Sequence, residues 1–230
     1  PEKLIDSHNY TLVDVRRKEL FEKAQIPGSV NIPLYLIKTK KYLKDKSLIL
    51  LNEGYAYSKL HAEVGKLRDQ GFNVSIMRGG ILAWHNKGGA INGDLFTILG
   101  NNHVSPLRYY QERGFTNRLL INASPDPSPG DYLVPEAVHV PFDGNITEFQ
   151  KQLKQAIAKH GGKSLVDILV TNNDGGNYQI MEQAALRIDD RIYFLDHGLE
   201  GYKSYLRNRA GMLNPRKGKI GVQACNVCPQ

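Results

Sequence analysis

The stretch Leu48-Ile-Leu-Leu-Asn-Glu-Gly-Tyr-Ala-Tyr-Ser58 changes character twice within eleven residues. Leu48 to Leu51 is a short, bounded apolar run, the pattern of a strand buried on both faces. Asn52 to Tyr57 is a polar turn, and from Ser58 the apolar residues Leu60, Val64 and Leu67 recur at i, i+4 and i+7. With Ser58 as N-cap and Gly71 as the residue that ends the helix, the segment predicts strand, loop and helix in succession. Phe72 to Met77 then alternates like a further strand and runs into Arg78-Gly-Gly-Ile-Leu-Ala-Trp84. In open parallel sheets ligands bind at the carboxyl ends of the strands, and the polar turn falls at such an end.

Working outward, Leu12-Val-Asp-Val-Arg16 reads as a strand ending in Asp-x-Arg, and Ile26-Pro-Gly-Ser-Val-Asn-Ile-Pro33 as a proline-framed turn before another strand. This order of segments over residues 10 to 85 resembles the rhodanese domain. The resemblance implies an α/β fold and sulfur transfer by a cysteine in a loop of the form Cys-x-x-Gly-x-Arg, its thiolate cradled by backbone N–H groups at a helix N-terminus. The corresponding loop here is Asn52, Glu53, Gly54, Tyr55, Ala56 and Tyr57, so asparagine stands at the cysteine position and the family's glycine and arginine are replaced by Tyr55 and Tyr57.

The chain also resembles itself. Leu120-Ile-Asn-Ala-Ser124 pairs with Leu12 to Arg16, and Val134-Pro-Glu-Ala-Val-His-Val-Pro-Phe142 repeats the apolar and proline positions of Ile26 to Leu34. Asp14 to Pro27 and Asn122 to Pro135 have the same spacing, 13 residues. Leu169-Val-Thr-Asn172 pairs with Ile49 to Asn52, and Gly198 to Lys203 with Gly80 to His85. The expectation is two rhodanese-like domains, each a mostly parallel five-stranded sheet flanked by helices: residues 1–93, a linker over 94–103, residues 104–213, and a basic tail over 214–230. Ser105-Pro106 opens a helix in the second unit, Thr147-Glu-Phe-Gln150 a capping box for a helix through His160, and Ile180, Ala184 and Ile188 mark the helix after the second loop. Arg191 to Leu195 is the strand after that. Trp84 and Tyr202 are expected in the core.

The second loop is Asn172, Asn173, Asp174, Gly175, Gly176, Asn177 and Tyr178. Asn172 stands at the cysteine position, with Thr171 as the other register. Gly175 then keeps the family's glycine and Asn177 replaces its arginine. Sulfur transfer requires a side chain that accepts and returns sulfane sulfur, and an amide can do neither. Loss of the arginine removes a bidentate oxyanion clamp. Glu53 and Asp174 each add a carboxylate that repels thiosulfate or folds inward onto the anion seat itself. The only thiols are Cys225 and Cys228 in a C-terminal C-x-x-C, a pair that serves a redox couple, half a metal site or a disulfide, with an unengaged tail as the plain alternative.

With 230 residues and 41% hydrophobic content the chain has room for a packed core, and no run approaches the ~20 apolar residues of a membrane span. Net charge is +7, and Lys203, Arg207, Arg209, Arg216, Lys217 and Lys219 form a late basic run without a nucleic-acid reader motif, so no nucleic-acid partner is expected. The seven histidines share no metal-ligand spacing; neither metal nor cofactor is expected. A start at Pro1 and cysteines confined to the tail favour a periplasmic or exported setting over the cytoplasm. The reading is a catalytically silent binding or regulatory module for a protein or a small anion. Its alternative is a sulfurtransferase or thiol-redox protein working through Cys225 and Cys228; a rhodanese-fold phosphatase is disfavoured, since it too needs the loop cysteine and arginine.

Overall fold

The computed structural model describes residues 10–99, 102–126, 133–161 and 165–213. In chain order these form β1 (Tyr10–Asp14), α1 (Lys18–Lys23), β2 (Ala24–Gln25), β3 (Val30–Asn31), two short 3-10 turns (Leu34–Thr39 and Lys41–Leu43), β4 (Ser47–Leu51), α2 (Ser58–Asp69), β5 (Asn73–Ile76), α3 (Gly80–Asn86), β6 (Asn92–Gly93) and α4 (Phe96–Leu99). There follow β7 (His103–Val104), α5 (Pro106–Glu112), β8 (Arg118–Asn122), β9 (Val138–His139), α6 (Ile146–Lys159), β10 (Asp167–Thr171), α7 (Tyr178–Ala185), β11 (Ile192–Leu195) and α8 (Gly198–Leu213).

Strands alternating with helices give two parallel sheets, as the βα rhythm requires. One has the order β3-β1-β4-β5, the other β7-β11-β10-β8-β9, and every pairing within them is parallel. A two-stranded antiparallel pair, β2 with β6, stands apart. The fifth strand of the second sheet is β7, which precedes β8 in the chain and docks on β11. The stretch that precedes β1 lies outside the described residues, and among those the first sheet shows four strands.

The period-2 alternation of the strands sorts their side chains into three cores. Val13, Leu48 and Leu50 face outward onto Leu60, Val64 and Leu67 of α2. Leu119, Ile121, Ile168 and Val170 face outward from the second sheet onto Phe149 and Leu153 of α6 and Met181 of α7. The remaining faces meet: Leu12 and Leu51 from the first sheet share one cluster with Leu120, Leu169, Tyr193 and Leu195 from the second, filled in by Trp84 of α3, Tyr109 of α5 and Tyr202 of α8. The two sheets are therefore packed through a common apolar layer. Among the described residues, no helix is long and apolar enough to cross a membrane.

Several helix ends differ from the sequence reading. Ser58 does not cap α2; the residue before the helix is Tyr57, without a side-chain cap, because the Ser58 hydroxyl is turned to Glu112. α6 is capped by Asn145, whose Oδ1 accepts from Glu148 N–H at 3.1 Å, so the helix starts before Thr147, which lies within its first turn. α7 buries Tyr178, Met181, Ala184 and Ala185, leaving Ile180 exposed, and ends before Ile188. The Ser105-Pro106 start is found as expected, Ser105 Oγ accepting from Arg108 N–H at 3.3 Å.

Candidate functional site

Both loops hang from the carboxyl end of a central strand, β4 or β10, and are fastened by an asparagine. Asn52 Oδ1 accepts from Gly54 N–H at 2.9 Å and its Nδ2 donates to the Ala56 carbonyl at 2.7 Å. Asn172 Oδ1 accepts from Gly175 N–H at 2.7 Å, and its Nδ2 donates to the Gly176 carbonyl at 2.7 Å. Both backbone carbonyls receive the first amide past the glycine that opens the second helix onward, α3 or α8, Ile81 N–H at 2.9 Å and Leu199 N–H at 2.8 Å. Thr171 is instead the last residue of β10. Each amide thus bridges its own loop with both ends engaged, which is what a primary amide does well and a thiolate cannot. The glycines opening α3 and α8 are required by this closeness: a Cβ on Gly80 would lie 2.3 Å from the Asn52 oxygen, and one on Gly198 2.4 Å from that of Asn172.

The first loop is sealed. Tyr55 and Tyr57 are essentially unexposed. Tyr55 reaches the second sheet, edge-on to Tyr193 with centroids 5.3 Å apart and under the Arg118 guanidinium at 4.1 Å. Arg118 is ion-paired with Asp167, whose carboxyl burial pushes up while the Arg118 hydrogen bonds pull it down. Tyr57 stacks on Phe115 at 6.0 Å and its hydroxyl accepts from Gly79 N–H. Burial holds both phenols above their usual range, so both are neutral. Glu53 turns outward to Arg108 at 2.8 Å. At the head of α2 the N–H groups of Tyr57 and Ser58 meet the carboxylate of Glu112, the last residue of α5. The seat expected to attract Glu53 is taken by an acid 54 residues beyond Ser58.

The second loop is open. Asn173, Gly175 and Gly176 are partly exposed, and Asp174 and Asn177 exposed. Asp174 Oδ1 accepts from Gly176 N–H at 2.8 Å within its own loop, and Asn173 Oδ1 accepts from the Ser124 hydroxyl at 2.9 Å. Asn177 adopts φ +59° at the start of α7, the left-handed conformation asparagine tolerates better than most residues. Beside the loop lies a cleft of ≈ 610 Å³ whose lining includes Leu107, Asp174, His197, Glu200 and Tyr205.

The structure therefore brings Asn52 to Tyr57 into the contact between the sheets and leaves Asn173 to Asn177 at the surface, with Asn172 beneath them. Cys225 and Cys228 lie outside the described residues. Sequence reading missed Glu112, Arg108 and Arg118, which bear on the first loop from α5 and β8; no spacing signal ties them to it. It also passed over His103, held between Glu182 and Asp196, as one histidine among seven.

Parallel sheets with a strand, a tight loop and a helix N-terminus at their carboxyl edge define the class of α/β domains that seat ligands on that loop. Residues 2–87 match the family described as the rhodanese-like domain, so the first part of this chain contains a rhodanese-like domain. No curated protein sequence matches the chain. Solved structures that resemble it include a protein of Bacillus halodurans, 27% identical over 42% of this chain and 71% of that one, with a TM-score of 0.36. Another is the rhodanese-like domain of a protein from Anabaena sp., 25% identical over 36% of this chain and 80% of that one, with a TM-score of 0.33. A thiosulfate sulfurtransferase from Pseudomonas aeruginosa is 18% identical over 85% of this chain and 39% of that one, with a TM-score of 0.33.

Proposed function

We propose that the chain is a catalytically silent tandem rhodanese-like protein, with domains over residues 1–93 and 104–213, a linker over 94–103 and a tail over 214–230, and that it acts as a binding or regulatory module. The observation that carries this reading is the pair of asparagines: at the head of both loops stands a non-nucleophilic amide whose two ends are already engaged by the loop backbone. A side chain spent on closing the turn has no role left in group transfer. The second loop is the face on which a partner is received, since the first is buried against the second sheet. Asp174 at the neighbouring cleft repels a small anion, while Glu200 there is already paired with Lys203 at 3.3 Å, so of the two expected ligand classes a protein partner is the better fit.

The test is cyanide-dependent thiocyanate release from thiosulfate. The unmodified protein and a Cys225→Ser, Cys228→Ser variant are both expected to be inactive, while Asn172→Cys with Asn177→Arg gains turnover because its loop is open and already carries the family's glycine. Asn52→Cys gains none behind Tyr55 and Tyr57. Turnover in the unmodified protein that vanishes with the two serine substitutions would move the chemistry to the tail; turnover that survives them would overturn the silent reading altogether.

A further inference from the structure

Glu112 is a buried acid, and none of the ion pairs among the described residues falls on its carboxylate. Arg118 bonds the Glu112 backbone carbonyl at 3.1 Å and directs its side-chain pairing to Asp167. The hydration lost by the Glu112 carboxylate is replaced by three donors on one oxygen: Ser58 N–H at 2.8 Å, the Ser58 hydroxyl at 2.8 Å and Tyr57 N–H at 3.1 Å. All three belong to the head of α2, a twelve-residue helix whose free N–H groups and dipole favour negative charge. One turn earlier on α5, Arg108 grips Glu53 of the same loop at 2.8 Å. The acid of the second loop is placed differently: Asp174 bonds within the loop and stays exposed.

We propose that Glu112 is the resident ligand of an anion seat in the first loop. The chain supplies this carboxylate from α5, which keeps external anions out of the seat and latches the loop to the segment leading into the second sheet. Because α5 enters from β7 and leaves toward β8, occupation of the seat couples the two sheets, and a small carboxylate takes the place of Glu112 once that side chain is removed. This rests on the geometry of α2 and α5 and is independent of whether either loop transfers sulfur.

The experiment is chemical rescue of Glu112→Ala, with sodium formate as the probe and sodium chloride at equal ionic strength as the control, read by thermal unfolding. Glu112→Ala is expected to melt about 5–10 °C below the unmodified protein, formate to restore roughly half of that loss, and formate to leave the unmodified protein where chloride leaves it. A formate effect of equal size on both proteins, or none on the variant, overturns the proposal. Should Glu112→Ala fail to fold, Glu112→Gln and Ser58→Ala are combined in a double-mutant cycle. The Ser58 substitution is then expected to matter in the parent and much less in the Glu112→Gln background; an equal Tm shift in both backgrounds overturns it as well.

Discussion

His103 is held from both edges of its ring, Nδ1 facing Asp196 at 3.0 Å and Nε2 facing Glu182, with Asn102 donating to the same Glu182 oxygen at 3.2 Å. Tyr178 and Phe194 close the remaining sides, each ring 6.2 Å away. The hydrogen bond to Glu182, with that of Asp196, raises the imidazole above its usual range against the opposing effect of burial. The folded value lies above the unfolded value of about 6.5. The stabilisation is thus fully present below about pH 6.5 and is lost as pH rises through the raised folded value. Since the side chains are 34% and 36% exposed at His103 and Asp196, solvent screening limits the gain to about 1 kcal/mol. A His103→Gln variant is expected to show a flatter stability curve than the parent over this interval; parallel curves from urea titrations across about pH 6 to 9 would rule the clasp out. The partners lie far along the chain, Asp196 being 93 positions from His103 and beyond any local spacing rule, so nothing in the sequence singled this histidine out.

At the scale of elements, what was legible was the alternation itself. Apolar runs, a polar turn and an i, i+4, i+7 stripe place β4, its loop and α2 correctly because each is a local pattern tied to a local geometry. Helix ends were less legible, since several side chains compete for each: Asn145 caps α6 in place of the box at Thr147, and Ser58 is drawn away from capping by Glu112. The glycines that begin α3 and α8 look alike in sequence, and the structure supplies the reason, at φ +53° and +57° with a loop carbonyl where a side chain would start. Gly80→Ala and Gly198→Ala should each cost about 2–4 kcal/mol, since the neighbour is backbone and cannot step aside. Gly28→Ala, at φ +76° with nothing within 4 Å, should cost only about 1 kcal/mol. Chemical denaturation of the three variants checks this; equal losses would mean that backbone conformation alone, not the approach of the loop, decides these positions.

For the molecule as a whole, the shared layer between the sheets and the buried Arg118–Asp167 pair under Tyr55 should make unfolding cooperative. Calorimetry is expected to show one transition whose calorimetric and van't Hoff enthalpies agree. Arg118→Met strands the Asp167 carboxylate and should cost about 3–5 kcal/mol, with faster amide exchange at Tyr55 and Tyr57 as well as in β8 and β10. Two resolved transitions, or exchange confined to the second sheet, would contradict the coupling. By itself the sequence determined the parallel α/β fold, because short bounded apolar runs alternating with 3.6-period stripes admit little else, and it determined that neither loop carries a thiol. Tertiary structure decided the rest: that one loop is sealed and the other open, that Glu112 sits where an external anion would, and that Tyr55 and Tyr57 are interior side chains. Those outcomes depend on which faces of two similar sheets meet, and such contacts between residues 55 positions apart leave no periodic trace in the chain.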